Sequence, residues 1–259
     1  MRRVTAIKQY IISLVLLFLV FSNKLWADDT QTVAVFGASG RIGSVVVIEA
    51  LERGHRVLGV SRKPEKLSVK HHNFIATQGD LDNLESLRRI LSQVNTVVIS
   101  VSARAKDNKP ENSMLVSFTE NIIKLVSQME NKPYIMQVGG ANLMYGTTYE
   151  EVKKNMGEAQ FNYEKGSSMH AVLFGHQLSV DMYRASNLSW TVIAPPMRIL
   201  GIYGELDSTT SKGAFRTSNS EALVAKDGSK SIYVRDLARA VVNEIESRQY
   251  RGQVFTVGY

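Results

Sequence analysis

Cysteine is absent from the 259-residue chain. Its absence excludes disulfides and any lipid anchor built on a cysteine. Metal chemistry finds no support either: His71 and His72 are adjacent, and no cysteine or carboxylate cluster completes a site around them. No Gly-x-Ser-x-Gly turn or other nucleophile motif is present, and no internal repeat or low-complexity linker divides the chain. Excess charge is also missing once the N-terminus is set aside. The formal net charge is +7, but four basic residues and no acid fall in the first 27 positions, leaving +3 for the rest. So slight a balance offers nothing to a nucleic acid, and no such partner is expected.

What is present begins with a basic start, Arg2, Arg3 and Lys8, followed by the apolar run Ile11 to Phe21 and a small residue at Ala27. This pattern describes a secretory signal peptide over residues 1–27, cut after Ala27. The alternative is an uncleaved anchor that tethers the protein to a membrane through residues 11–21. That run falls short of the roughly 20 residues a comfortable span requires. In both cases the basic start favours a cytoplasmic N-terminus with the remainder outside, so an exported (periplasmic or secreted) or membrane-anchored protein is expected. The remaining residues, 28–259, are enough for one well-buried α/β domain and too few for two.

The most informative stretch is Val33-Ala34-Val35-Phe36-Gly37-Ala38-Ser39-Gly40-Arg41-Ile42-Gly43. An apolar, β-branched run passes through three glycines into a helix-like segment, and a second strand follows at the right distance. A dinucleotide pyrophosphate needs this context. Gly37 makes the tight exit from the strand and Gly40 lets the backbone approach the phosphates. Gly43 lets the helix pack close to the sheet, and the helix N-terminus supplies N–H groups and a positive dipole end.

Strands and helices then alternate. Helices are expected over Ile42–Arg53, from an Asp82/Glu85 capping box to Leu91, over Ser113–Met129, Ser168–Ala185 and Val234–Ser247. Strands are expected over Arg56–Ser61, Phe74–Gln78, Thr96–Val101, Tyr134–Val138, Trp190–Ala194 and Gln253–Val257. Val45 to Ile48 would favour a strand by propensity, but their place after the glycine turn argues for a covered helix. Residues 139–166 read as a long mixed loop and 195–224 as a variable stretch; both are expected to shape a substrate pocket. The alternation predicts a Rossmann fold, a doubly wound parallel sheet in a single domain.

The end of the second strand reads Ser61-Arg62-Lys63, with no acid to take a ribose 2′-hydroxyl. A guanidinium there binds a 2′-phosphate with charge assistance, so NADP(H) is expected in preference to NAD(H). Arg41 is expected to reach the same phosphate from the other side. Asp80 suits either the adenine amino group or a simple turn.

These residues, with Gly79-Asp80, Trp190 to Pro196 and the terminal Phe255-Thr256-Val257-Gly258-Tyr259, resemble the atypical short-chain dehydrogenases. The resemblance is to the branch of NADH-flavin reductases, biliverdin reductase B and NmrA-like proteins, and it spans Thr32 to Tyr259. It implies a Rossmann domain with the nicotinamide near the loop after the fifth strand and near Pro195, under a small substrate pocket. Gly37, Ser39, Gly40, Arg41, Ile42, Gly43, Arg62, Asp80 and Pro195 are the candidate cofactor contacts.

The chain departs from that pattern at the chemistry. Tyr149 and Lys153 have the superfamily's Tyr-x-x-x-Lys spacing, in which the lysine lowers the tyrosine pKa, yet they precede the helix where the pair belongs. The polar residue expected after the fifth strand is Gly140, and the histidine expected after the Pro-Pro pair is Met197. His170 and His176 remain as proton-donor candidates, although a helical histidine is more often structural. Tyr145, Tyr149, Phe161 and Tyr163 suit an aromatic lid or a loop packing its own rings. The function expected is hydride transfer from NAD(P)H to a small planar acceptor, a flavin or quinone; the alternative is a nucleotide-binding sensor or interaction protein without turnover. Oligomeric state is not legible in the sequence.

Overall fold

Apolar runs that can be covered on both faces decide the architecture. The computed structural model describes residues 30–157, 161, 163–202 and 209–259; the leader segment expected over residues 1–27 lies outside them. Gln31–Tyr259 forms one compact unit. Its elements are β1 (Thr32–Phe36), α1 (Gly43–Glu52), β2 (Arg56–Ser61), β3 (Phe74–Gln78), α2 (Leu84–Leu91), β4 (Thr96–Ile99), α3 (Met114–Val126), β5 (Tyr134–Val138), α4 (Tyr149–Met156), α5 (Ser168–Arg184), β6 (Trp190–Ala194), β7 (Arg198–Leu200), β8 (Arg216–Ser218), β9 (Ser231–Tyr233), α6 (Val234–Ser247) and β10 (Val254–Gly258). None of the described helices is long and apolar enough to cross a membrane.

Eight strands form one sheet in the order β3-β2-β1-β4-β5-β6-β10-β8. The neighbours from β3 to β10 are parallel, and β8 pairs with β10 antiparallel. The sheet is therefore mixed at one edge. β8 comes from the stretch read as irregular, which also supplies β7, paired in parallel with β9. Short exposed strands of this kind carry no run of alternation for a sequence reading to detect.

Both faces are covered. On one, Val46, Val47 and Ala50 of α1 join Leu237, Val241 and Ile245 of α6 against Val33 and Val35. On the other, Leu87 and Ile90 of α2, Phe118 and Ile122 of α3, and Val180 and Tyr183 of α5 cover Ala34, Phe36, Val97 and Ile99. Val45, Val46 and Val47 are helical as expected, because burial on the sheet outweighs their preference for strands. Three local readings need correction. Asn83, not Asp82, caps α2, its side chain accepting from the Ser86 N–H, while Asp82 belongs to the preceding turn. β4 stops at Ile99, so Ser100 and Val101 lie beyond it. Residues 139–166 hold a 3₁₀ turn and α4, the latter started by a complete capping box between Thr148 and Glu151.

The strand order runs outward from β1 through β2 to β3 and, on the other side, from β4 through β5 to β6. The order in which strands are added to the sheet thus reverses between β1 and β4. The carboxyl ends of those two strands open a crevice, the place where an open α/β sheet binds its ligand.

Candidate functional site

The crevice holds two cavities that share Ser100, Val101 and Ser102. The first, about 640 Å³, opens over the ends of β1, β2 and β3 and is lined by Gly37, Ser39, Gly40, Ser61, Arg62, Lys63, Lys66, Asp80, Asp82 and Met114, among others. The second, about 460 Å³, opens over the ends of β4 and β5 and is lined by Arg41, Ile42, Arg104, Val138, Gly139, His176 and Ile202. Together they give an elongated site around the glycine turn.

The turn is shaped as a phosphate cradle. Gly37 has φ +87°, and a Cβ on it would lie 2.3 Å from the carbonyl oxygen of Ser100. A Cβ on Gly43 would lie 2.2 Å from the carbonyl oxygen of Gly37, so helix and turn touch backbone to backbone. The Gly40 N–H donates to the Gly37 carbonyl at 2.8 Å and closes the loop. α2, α3, α4 and α5 each begin with a side-chain cap, whereas α1 and α6 have none, and of these two α1 begins beside the crevice, at Ile42. An uncapped helix N-terminus facing a cavity suits an anion. The residues present therefore fit a dinucleotide pyrophosphate.

At the far end of the first cavity three cations, Arg62, Lys63 and Lys66, face two carboxylates, Asp80 and Asp82. The cations follow β2 and the carboxylates follow β3, so the two sets occupy different walls. Asp80 accepts from the Asp82 N–H at 3.1 Å, which makes it a turn residue as well as a lining residue. Arg41, expected beside the same phosphate as Arg62, lines the second cavity instead. It stands after Gly40, on the limb of the turn that leads into α1. Gly43 is taken up by packing, and Pro195 is buried at the exit of β6 and lines neither cavity.

The four candidates for chemistry separate. The Tyr149 hydroxyl donates to the Tyr163 carbonyl at 2.7 Å, and Lys153 is exposed on the same short helix. Neither lines the crevice. Tyr149 packs with Phe161, His170 and Phe174 at ring distances of 5.2, 5.7 and 6.3 Å, and Phe161 with Tyr163 at 5.7 Å. The aromatics expected as a lid form a satellite core with Val152, Met156 and Leu173. His170 belongs to that core; burial, then Lys165, lowers its pKa. His176 alone of the four reaches the second cavity, with 8% of its surface exposed. Burial pushes its pKa down to about 4, so it is neutral at physiological pH. A Cβ on Gly140 would lie 2.5 Å from Asn142 Oδ1 and 3.1 Å from His176 Cδ2. The volume of the side chain expected after β5 is thus already taken by Asn142 and His176.

Several lining residues were missed. Ser100 falls within the expected strand and Ser102 belongs to no motif, although the carboxyl end beside β1 is where the fold places a ligand. Lys66, Arg104 and Met114 carry no motif; only folding brings them to the crevice.

Residues 37–248 match the family described as NAD(P)H-binding, and the chain belongs to it. The uncharacterized protein YwnB of Bacillus subtilis (strain 168) is 22% identical over 225 residues, covering 87% of this chain and 97% of its own length. Among solved structures, a candidate exported protein from Burkholderia pseudomallei superposes with a TM-score of 0.67 at 24% identity, over 89% of this chain and 100% of that one. A candidate NADH-flavin reductase from Streptococcus pneumoniae TIGR4 also gives 0.67, at 20% identity, over 88% and 99%. The fold is shared, in keeping with the short-chain-dehydrogenase resemblance, and the cofactor class is a nicotinamide dinucleotide.

Proposed function

We propose that this protein is an NADP(H)-dependent reductase that passes a hydride to a small planar acceptor such as a quinone or flavin. The observation that carries the cofactor choice is the cluster Arg62, Lys63 and Lys66 in the cavity beyond the second strand, whose end bears no carboxylate. A guanidinium there engages a 2′-phosphate through charge-assisted hydrogen bonds. Gly37, Gly40 and the start of α1 would hold the pyrophosphate, with the adenine toward Asp80. The nicotinamide would lie in the second cavity over β4 and β5, where the acceptor has room. The Streptococcus pneumoniae neighbour, named for NADH and flavin, supports the planar acceptor by name and not the choice of NADP(H).

The second reading is a dinucleotide-binding sensor without turnover. It is favoured by the engagement of Tyr149 with Tyr163 and by the distance of the Tyr149–Lys153 pair from the crevice. Acceptor-dependent oxidation of NADPH by the purified domain separates the two. Tight NADPH binding with no oxidation across quinones, flavins and dyes would establish the sensor instead. We also place the folded domain outside the cytoplasm, on the strength of the leader-like residues 1–27. A reporter fused after Asp29 that is active only inside the cell would refute that location.

A further inference from the structure

The geometry points to His176 as the hydrogen-bond donor that receives the acceptor's carbonyl oxygen as hydride arrives, and so to an acceptor whose reacting carbon is conjugated with a carbonyl. This inference rests on the reductase reading above and names the substrate class of its second cavity.

His176 lies on the face of α5 that packs on the sheet, and its ring forms part of the cavity wall beside the end of β5. Its Nδ1 is buried and has no hydrogen-bond partner. Nε2 is then the nitrogen left to face the cavity. A buried N–H without an acceptor is rarer than a buried acceptor without a donor. The proton therefore belongs on Nε2, where a ligand can accept it, and the lone pair on Nδ1. Gly140 keeps this arrangement open, since any side chain there would meet the ring and Asn142 Oδ1. Asn142 is itself pinned to α5, its Nδ2 donating to the Leu173 carbonyl at 3.0 Å. The ring is held in place by packing rather than by a partner.

The charge balance of the cavity suits an oxygen that becomes negative. Among the described residues, the charged ones that line it are Arg41 and Arg104, with no carboxylate. When bound, the dihydronicotinamide supplies the hydride and is oxidised. A C–H bond forms on the acceptor, its conjugated π pair moves onto the carbonyl oxygen, and water later supplies one proton. His176 keeps its own proton throughout. A neutral imidazole is the right donor for this task, because it stabilises the oxyanion without first having to be charged. Its depressed pKa agrees with that form.

The test uses the purified protein, NADPH and 1,4-naphthoquinone. His176→Gln retains a neutral N–H donor of similar reach and is expected to keep kcat within about threefold of wild type. His176→Leu removes the donor and is expected to lower kcat about a hundredfold, with the dissociation constant for NADPH within about twofold. A Gln variant as slow as the Leu variant, or a Leu variant as fast as wild type, would overturn the assignment. Histidine ¹⁵N resonances of the cofactor-free protein at pH 7 give a second readout, expected to show the His176 proton on Nε2. A proton on Nδ1, or a charged ring, would overturn it whatever the kinetics. Wild type that oxidises no NADPH with any acceptor would remove the reductase reading itself, and this role with it.

Discussion

At the residue scale, the cofactor preference depends on a few cations and the turn on one glycine. Replacing Arg62 by Asp is expected to weaken NADPH binding about tenfold to a hundredfold while leaving NADH within a few-fold, since a charge-assisted hydrogen bond contributes roughly 1.5–3 kcal/mol. Fluorescence titration with both nucleotides checks this, and equal losses for the two would sink the assignment. Lys63 and Lys66 line the same cavity, so part of the preference should survive Arg62→Ala. Gly37→Ala is expected to destabilise the fold by about 2–4 kcal/mol. The new methyl would combine a left-handed φ with a 2.3 Å approach to the Ser100 oxygen, and that carbonyl belongs to the backbone and cannot step aside. A denaturant midpoint unchanged from wild type would contradict that reading.

At the scale of elements, the position of a helix decides what its side chains can do. Tyr149 and Lys153 have a catalytic spacing, but α4 carries them away from the crevice and into a satellite core. Tyr149→Phe and Lys153→Ala are therefore expected to leave kcat within about twofold of wild type. Tyr149→Phe should cost stability of about 1 kcal/mol through its lost bond to Tyr163. A large fall in kcat for both variants, with stability intact, would return the pair to the mechanism. α5 does the opposite: it has no motif, yet it delivers His176 to the second cavity. The helix over Ser168–Ala185 was legible in the sequence, whereas the direction of one imidazole was not.

At the scale of the whole molecule, acid stability follows from groups the fold has buried. His176 has a folded pKa of about 4, below its unfolded value of 6.5. The unfolded chain takes up that proton first, so the stabilisation is full above about pH 6.5 and is lost as pH falls toward 4, a difference of about 3 kcal/mol. His170 acts in the same direction. Asp236 behaves as a carboxylate. Burial raises its pKa, but hydrogen bonds from Ser211, Tyr259 and the Lys212 N–H outweigh burial and hold it low. Its stabilisation is present above the usual carboxylate range and is lost at still lower pH. Urea midpoints for wild type and His176→Gln from pH 7 to 4 should diverge, the variant showing the shallower decline. Parallel curves would refute the buried neutral histidine.

Local pattern determined the β-α alternation and the glycine turn of this chain. Strand period, helix stops and a strand-glycine-helix junction are short-range properties that the order of residues carries by itself. Even there, propensity would have misread Val45 to Ile48, which are helical because the sheet buries Val45, Val46 and Val47. Tertiary structure alone decided the antiparallel edge strand, the fate of the aromatics around Tyr149, and the partition of the crevice. Arg41 and Arg62, 21 positions apart, are expected at one phosphate and line different cavities. Lys66, Arg104 and His176 come from three segments with nothing in common until the sheet assembles. A binding turn is continuous in the chain, so its neighbours in sequence define it. The pocket over it is built from strand ends and helices remote in sequence, and only packing brings them together.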